Sequence, residues 1–270
     1  MHFPARGRFT HSLAAALLLA AAPPFALAAG GGKPKPKPPQ PPAQNPAPAT
    51  AVDTSQVQAK LLAYKTADAR TALTPLLPKA ATSSSVSLAL GQVLTQEKSY
   101  GDAEAQLQKA SQLAPSDPAP YVALGEAYLY EKRQADADAA FQKAAQAAQA
   151  ASGPSATYYL GVAQQRLKQY DQAIATLQKA RAQDGGNPLV PYQIGVTHAF
   201  NRNFPAAVDQ LTQALGINNG LAYAYYYRGL AQNELNRKDL MVKDMQRFLA
   251  LAPNAPEADR ARAVLQAAAR

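Results

Sequence analysis

Residues 118–144 read PAPYVALGEAYLYEKRQADADAAFQKA, and the organisation of the whole chain follows from them. Tyr121, Leu124, Gly125 and Tyr128 recur at the three- and four-residue steps that place side chains on one face of a helix. After a polar turn, Ala137, Phe141 and Ala144 do the same on a second helix. The glycine recurs as Gly91, Gly125, Gly161, Gly195 and Gly229, with separations of 34, 36, 34 and 34 residues. A fixed period of this length is the signature of a solenoid. One helix pair cannot bury its apolar face alone, so three or more must stack to make a continuous core.

The other copies hold equivalent residues. The first has Leu90, Gly91, Leu94, Ala103, Leu107, Ala110 and Pro115; the third has Leu160, Gly161, Ala173, Leu177 and Ala180. The fourth has Ile194, Gly195, Ala207, Leu211 and Ala214, and the fifth Tyr225, Gly229, Met241, Met245 and Pro253. On these residues the chain resembles the tetratricopeptide repeat family over residues 84–253. The resemblance implies an all-α, right-handed superhelical solenoid of antiparallel helix pairs. It also implies that each glycine, and the alanine twelve residues on, sit where the two helices of a pair cross, with Phe141, Leu177 and Leu211 filling the gap to the next repeat.

The punctuation agrees. Asp117-Pro118 and Asn187-Pro188 place a capping side chain before a proline at a helix start. Asp171 and Asp239 are the expected caps of second helices. There are departures as well. The 36-residue interval predicts a longer helix ending near Gly153-Pro154. Arg228 replaces the leucine expected before Gly229, and Met241 and Phe248 replace small alanines, so the last repeat must pack differently.

The flanking segments have their own character. Residues 1–28 combine Arg6 and Arg8, an apolar run over 13–22, and Ala26-Leu27-Ala28, the pattern of a secretory signal peptide. Cleavage after Ala28 is one expectation; an uncleaved N-terminal anchor, and with it a membrane association, is the other. Residues 29–50 are proline-rich and read as an extended linker, either a solubilising tail or a stalk. Residues 51–83 form a helix pair without the signature glycine, and residues 254–270 read as a capping helix with Val264 and Leu265 inward and Arg260, Arg262 and Arg270 outward.

The formal charge of +9 is not a nucleic-acid footprint. Arg6, Arg8, Lys33, Lys35 and Lys37 account for five of those nine net charges, leaving +4 for residues 51–270, where the signs alternate. The chain has no cysteine, which removes disulfides, thiolate metal sites and a lipid-modified cysteine. His198 lies on the apolar face of its repeat and reads as a packed core residue. Asp136 and Asp138 are two apart and do not share a helix face. No phosphate loop, zinc-binding helix or nucleophile elbow is present, so neither an enzyme nor a metal or cofactor is expected.

Binding is better served. The resemblance implies that the first helix of each pair lines a concave groove, reached by residues three before, one after and four or five after each glycine. Those offsets give Tyr158, Tyr192 and Tyr226 in consecutive repeats, with Gln92, Glu126, Tyr130, Gln165, Arg166, Phe200, Tyr223 and Asn233 beside them. A row of tyrosines combines apolar area, a polar tip and few rotors. The lysine and asparagine that clamp a peptide carboxylate in some family members are missing: Leu88, Val122, Gln92 and Glu126 stand there. The expectation is a non-enzymatic scaffold of a bacterial cell envelope, periplasmic or secreted, that binds a peptide or protein segment. Peptidoglycan or glycan association and self-assembly are the alternatives.

Overall fold

The computed structural model describes residues 52–269; the signal-like segment 1–28 and the linker expectation 29–50 lie outside them. Thirteen α-helices follow one another among the described residues. They are α1 (Ser55–Leu62), α2 (Thr66–Leu73), α3 (Ser84–Gln96), α4 (Tyr100–Leu113), α5 (Pro118–Tyr130), α6 (Gln134–Ala150), α7 (Pro154–Arg166), α8 (Tyr170–Gln183), α9 (Leu189–Phe200), α10 (Phe204–Ile217), α11 (Ala222–Glu234), α12 (Lys238–Leu251) and α13 (Ala258–Ala268). A 3-10 segment, Thr74–Lys79, links the first pair to the second.

Each pair closes through the same turn. The residue seven places after the glycine position adopts left-handed backbone: Tyr64 (φ +53°), Lys98 (+64°), Lys132 (+61°), Lys168 (+63°), Arg202 (+61°) and Asn236 (+58°). In the α3–α4 turn the Lys98 amide donates to the Thr95 carbonyl at 3.0 Å and the Ser99 amide to the Leu94 carbonyl at 2.9 Å. The same two bonds recur in the other five turns. They satisfy carbonyls that a helix end otherwise leaves open, which is how a left-handed residue ends a helix. The chain then reverses, and each first helix lies against its second.

Tyr64 shows that the N-terminal pair is a sixth copy in phase with the others. Counting back 34 residues from Gly91 puts Val57 at the glycine position. Ala69 and Leu73 then match Ala103 and Leu107, and Val57, Ala69 and Leu73 are fully or almost fully buried.

The crossings are as close as the pattern requires. A Cβ built on Gly91 would meet Leu107 Cγ at 2.5 Å and the Ala103 carbonyl at 3.3 Å. On Gly195 it would meet Leu211 Cγ at 2.7 Å, the Leu211 amide nitrogen at 3.1 Å and the Ala207 carbonyl at 3.2 Å. The large residue sixteen places after each glycine therefore seats on the glycine of its own pair. Phe141 does so against Gly125, within 2.5 Å of such a Cβ.

The long interval is accommodated as expected: α6 has 17 residues where the other complete second helices have 14, and Gly153 (φ +99°) turns the chain into α7. Asp117 caps α5 by accepting the Ala119 amide at 2.9 Å, and Asn187 accepts the Leu189 amide at 3.0 Å. Asp171 and Asp239 are not caps. They lie inside the first turns of α8 and α12, after Gln169 and Arg237 at the cap position, where a carboxylate suits the helix dipole. On α13, Ala258 and Ala261 are the buried residues, whereas Val264 and Leu265 are half-buried.

First helices also meet one another: α3 contacts α5, α5 contacts α7, α7 contacts α9, and α9 contacts α11. No pair of second helices makes contacts of that extent. The stack therefore curves, with first helices on the concave side and second helices on the convex side. None of the described helices is long and apolar enough to cross a membrane.

The crossings and turns make separate predictions for stability. Gly195→Ala, whose Cβ meets backbone, is expected to cost about 1–3 kcal/mol by overpacking, whereas Gly101→Ala, with nothing within 4 Å, should gain roughly 0.5 kcal/mol of helix propensity. Urea unfolding of both variants checks the contrast, and equal midpoints would contradict it. In the turns, Lys168→Gly relieves a left-handed lysine and should stabilise by about 0.5–1 kcal/mol; a lowered melting temperature would count against the turn geometry.

Candidate functional site

The concave face is built from α3, α5, α7, α9 and α11, each held by its own crossing against the helix behind it. Tyr158, Tyr192 and Tyr226 occupy equivalent places on α7, α9 and α11, as the spacing predicts. They do not stand free. Their exposures are 1%, 4% and 1%, which corrects the expectation of an open ladder. Tyr158 meets Tyr159 edge-on at 5.3 Å, Tyr192 meets Tyr227 edge-on at 6.4 Å, and Tyr226 packs on Phe248 at 5.0 Å. A ring of this size gains more by covering its neighbours than by standing in solvent. Burial raises the hydroxyl pKa of all three, that of Tyr226 to about 12.

Two other expected groove residues are tied into the fold. Gln92 is buried and accepts a hydrogen bond from Gln58 Nε2 at 2.8 Å, so it fastens the first pair to the second. Tyr223 is buried and donates to Glu257 Oε2 at 2.6 Å, just ahead of α13. The Tyr223 ring also lies edge-on to Tyr64 at 6.1 Å, joining the first turn of the array to its last repeat. Of the remaining residues, Tyr130 is half-buried and stacked on Tyr100 at 6.1 Å, Phe200 is half-buried and stacked on Tyr170 at 6.2 Å, and Asn233 is exposed.

Glu126 and Arg166 come together, although 40 residues separate them. Arg166 Nε donates to Glu126 Oε1 at 2.6 Å, with the two side chains 6% and 2% exposed. Glu126 Oε2 has no partner. Burial pushes the Glu126 carboxyl up to about 7, against the opposing pull of the Arg166 charge and its hydrogen bond. Next to Arg166 on α7, Gln165 accepts from Gln193 Nε2 at 2.8 Å, which leaves Gln165 Nε2 and Gln193 Oε1 unpaired. The Tyr158 hydroxyl and Gln232 Oε1 are also unpaired. Apart from Gln106 on α4, every buried side-chain N or O without a partner among the described residues lies on α5, α7, α9 or α11.

Buried polar atoms are normally hydrogen-bonded, so the orphans gathered at Glu126, Tyr158, Gln165 and Gln193 call for an explanation. This set offers donors and acceptors side by side, the complement of a main-chain amide. It offers no nucleophile beside a base. His198, half-buried with Nδ1 unpaired, has its pKa lowered by desolvation. Among the described residues no three His, Asp or Glu gather within metal-binding reach. Gln193 escapes the offset rule because it lies two before its glycine. The legible signal was a polar residue inside an otherwise apolar run, as in LVPYQIGV.

No protein-family model and no curated protein matches the sequence. Solved structures do. The chain is similar to TTC0263, a thermophilic TPR protein of Thermus thermophilus, at 18% identity and a TM-score of 0.55, covering 68% of this chain and 100% of that one. Other similar structures are YrrB, a TPR protein described as having an unusual peptide-binding site, and pilF of Pseudomonas aeruginosa. YrrB is 20% identical with a TM-score of 0.40 over 71% of this chain and 97% of its own; pilF is 16% identical with a TM-score of 0.41 over 78% and 95%. The first of these carries the assignment: the chain has the tetratricopeptide-repeat fold.

The raised Glu126 pKa has a defined consequence. The folded state holds the proton up to about pH 7, whereas the unfolded carboxyl releases it near 4.5. Its contribution to stability is complete below the lower value and is lost as pH rises to the upper one. Glu126→Gln, which cannot titrate, is expected to flatten the fall in melting temperature between pH 5 and 7; an unchanged slope would show that the carboxyl is ionised throughout.

Proposed function

We propose that the protein is a non-enzymatic scaffold that binds a peptide or protein segment along its concave face. The observation that carries this reading is the concentration of unpaired buried polar atoms on the first helices, around Glu126, Tyr158, Gln165 and Gln193. Above about pH 7 the Glu126 charge is matched by Arg166, so the segment that suits the site there is uncharged where it meets the pair. Half-buried Tyr130 and Phe200 offer it apolar contact. The signal-like residues 1–28 support a place for this scaffold in an exported compartment, periplasmic or secreted.

The test is cross-linking capture with the full chain and two variants. Phe200→Ala with Asn233→Ala alters the concave side without touching a fully buried residue, and Leu240→Ser alters an exposed residue of α12. A partner lost by the concave variant and kept by the α12 variant is the expected result. Equal capture by both moves the binding surface elsewhere.

A further inference from the structure

The left-handed turn residue is lysine, arginine or asparagine in five of the six pairs and tyrosine in the first. Positive φ is costly for a bulky side chain and easiest for asparagine among the non-glycine residues. A tyrosine held at φ +53° therefore implies a compensating contact elsewhere in the fold.

That contact lies at the opposite end of the array. The Tyr64 ring meets the Tyr223 ring edge-on at 6.1 Å. Tyr223 lies six places before Gly229, where the other repeats have Ser85, Ala119, Ser155 and Leu189, so this ring too is particular to its copy. Its hydroxyl donates to Glu257 Oε2 at 2.6 Å, and both residues are buried. Glu257 stands 34 residues after Tyr223, one repeat further on, so α13 follows in the place of a seventh first helix.

More of the inner face converges here. Tyr130 on α5 stacks on Tyr100, and its hydroxyl is raised well above the ordinary range by burial and then by the nearby Tyr64 and Glu257. Burial, followed by Glu257 and Tyr100, raises the Tyr64 hydroxyl likewise. Residues of the first, second, third and sixth pairs thus meet at one point beside the start of α13. A solenoid whose repeats touch only their neighbours leaves its ends apart; here the ends touch.

We propose that Tyr64 is a latch: its ring, seated on Tyr223 and backed by Glu257, holds the two ends of the array together and closes the concave face until it parts. What the latch guards rests on the function proposed above, since Tyr130 belongs both to that face and to the latch, and a segment that reaches Tyr130 must part it. Opening leaves every pair intact, because each crossing is held within its own pair and the change is shared among small steps between pairs.

The chain has no cysteine, so two nitroxides can be placed at Ala67→Cys on α2 and Gln266→Cys on α13, both exposed. Pulsed electron double resonance on the full-length protein is expected to give one narrow distance. Tyr64→Asn, which supplies the turn residue that the sixth pair already uses in Asn236, should broaden that distance and lengthen it by more than the 6.1 Å that now separates the rings. Tyr64→Phe keeps the ring and should keep the narrow distance. A second label pair at the exposed positions Ala105→Cys on α4 and Ala175→Cys on α8 should not move in either variant. A broad distribution with Tyr64 in place overturns the latch, as does an unchanged distance in Tyr64→Asn, an equal lengthening in Tyr64→Phe, or a lengthening shared by the α4–α8 labels. The distances are read without a partner, so a failed capture on the concave side leaves the latch standing, and an unchanged distance leaves the binding reading standing.

Discussion

The structure depends on how closely two helices approach at a glycine. At Gly91, Gly125, Gly161 and Gly195 the space a methyl group would fill is taken by a leucine or phenylalanine sixteen residues on. The close crossing lets a short pair bury a large side chain completely, and the next pair covers what remains. Because each crossing sets the same geometry, one local constraint fixes the curvature of the array and puts the first helices on its inner side.

The last repeat shows what happens when the constraint loosens. Around Gly229 the nearest atoms are the flexible end of Met245 at 3.0 Å and Asp244 Cβ at 3.2 Å. Arg228, which replaces a leucine, forms two bonds to Asp244, from Nε at 2.9 Å and from Nη2 at 2.7 Å. The departing arginine thus has a carboxylate partner on the second helix of its own pair. Phe248 fills the adjoining volume and packs against Tyr223 and Tyr226, so the tyrosines of this repeat serve the core as well as the inner face.

The inner face sets burial against polarity. Gln165, Gln193, the Tyr158 hydroxyl and one Glu126 oxygen lie away from water without full hydrogen bonding, a cost that an apolar lining would avoid. Glu126 and Arg166 limit that cost by pairing, yet the carboxyl still titrates near neutrality. The proposed binding of a segment with matching amides would recover that penalty.

Much of this was written in the chain. Local spacing sets the helices, the glycine interval counts the pairs, and Asp117 and Asn187 mark helix starts, since these depend only on residues a few positions apart. The sixth pair was legible too, through Ala69 and Leu73, but Val57 in place of glycine hid its phase. What the sequence could not convey is which side chains of the inner face remain available. Tyr158, Tyr192 and Tyr226 occupy the predicted positions, and only the packing of rings from neighbouring helices decides that they are buried. The Glu126–Arg166 and Gln165–Gln193 pairs likewise join residues of different repeats. Periodicity fixes the direction in which a side chain leaves its helix; what it meets there is set by how the repeats stack.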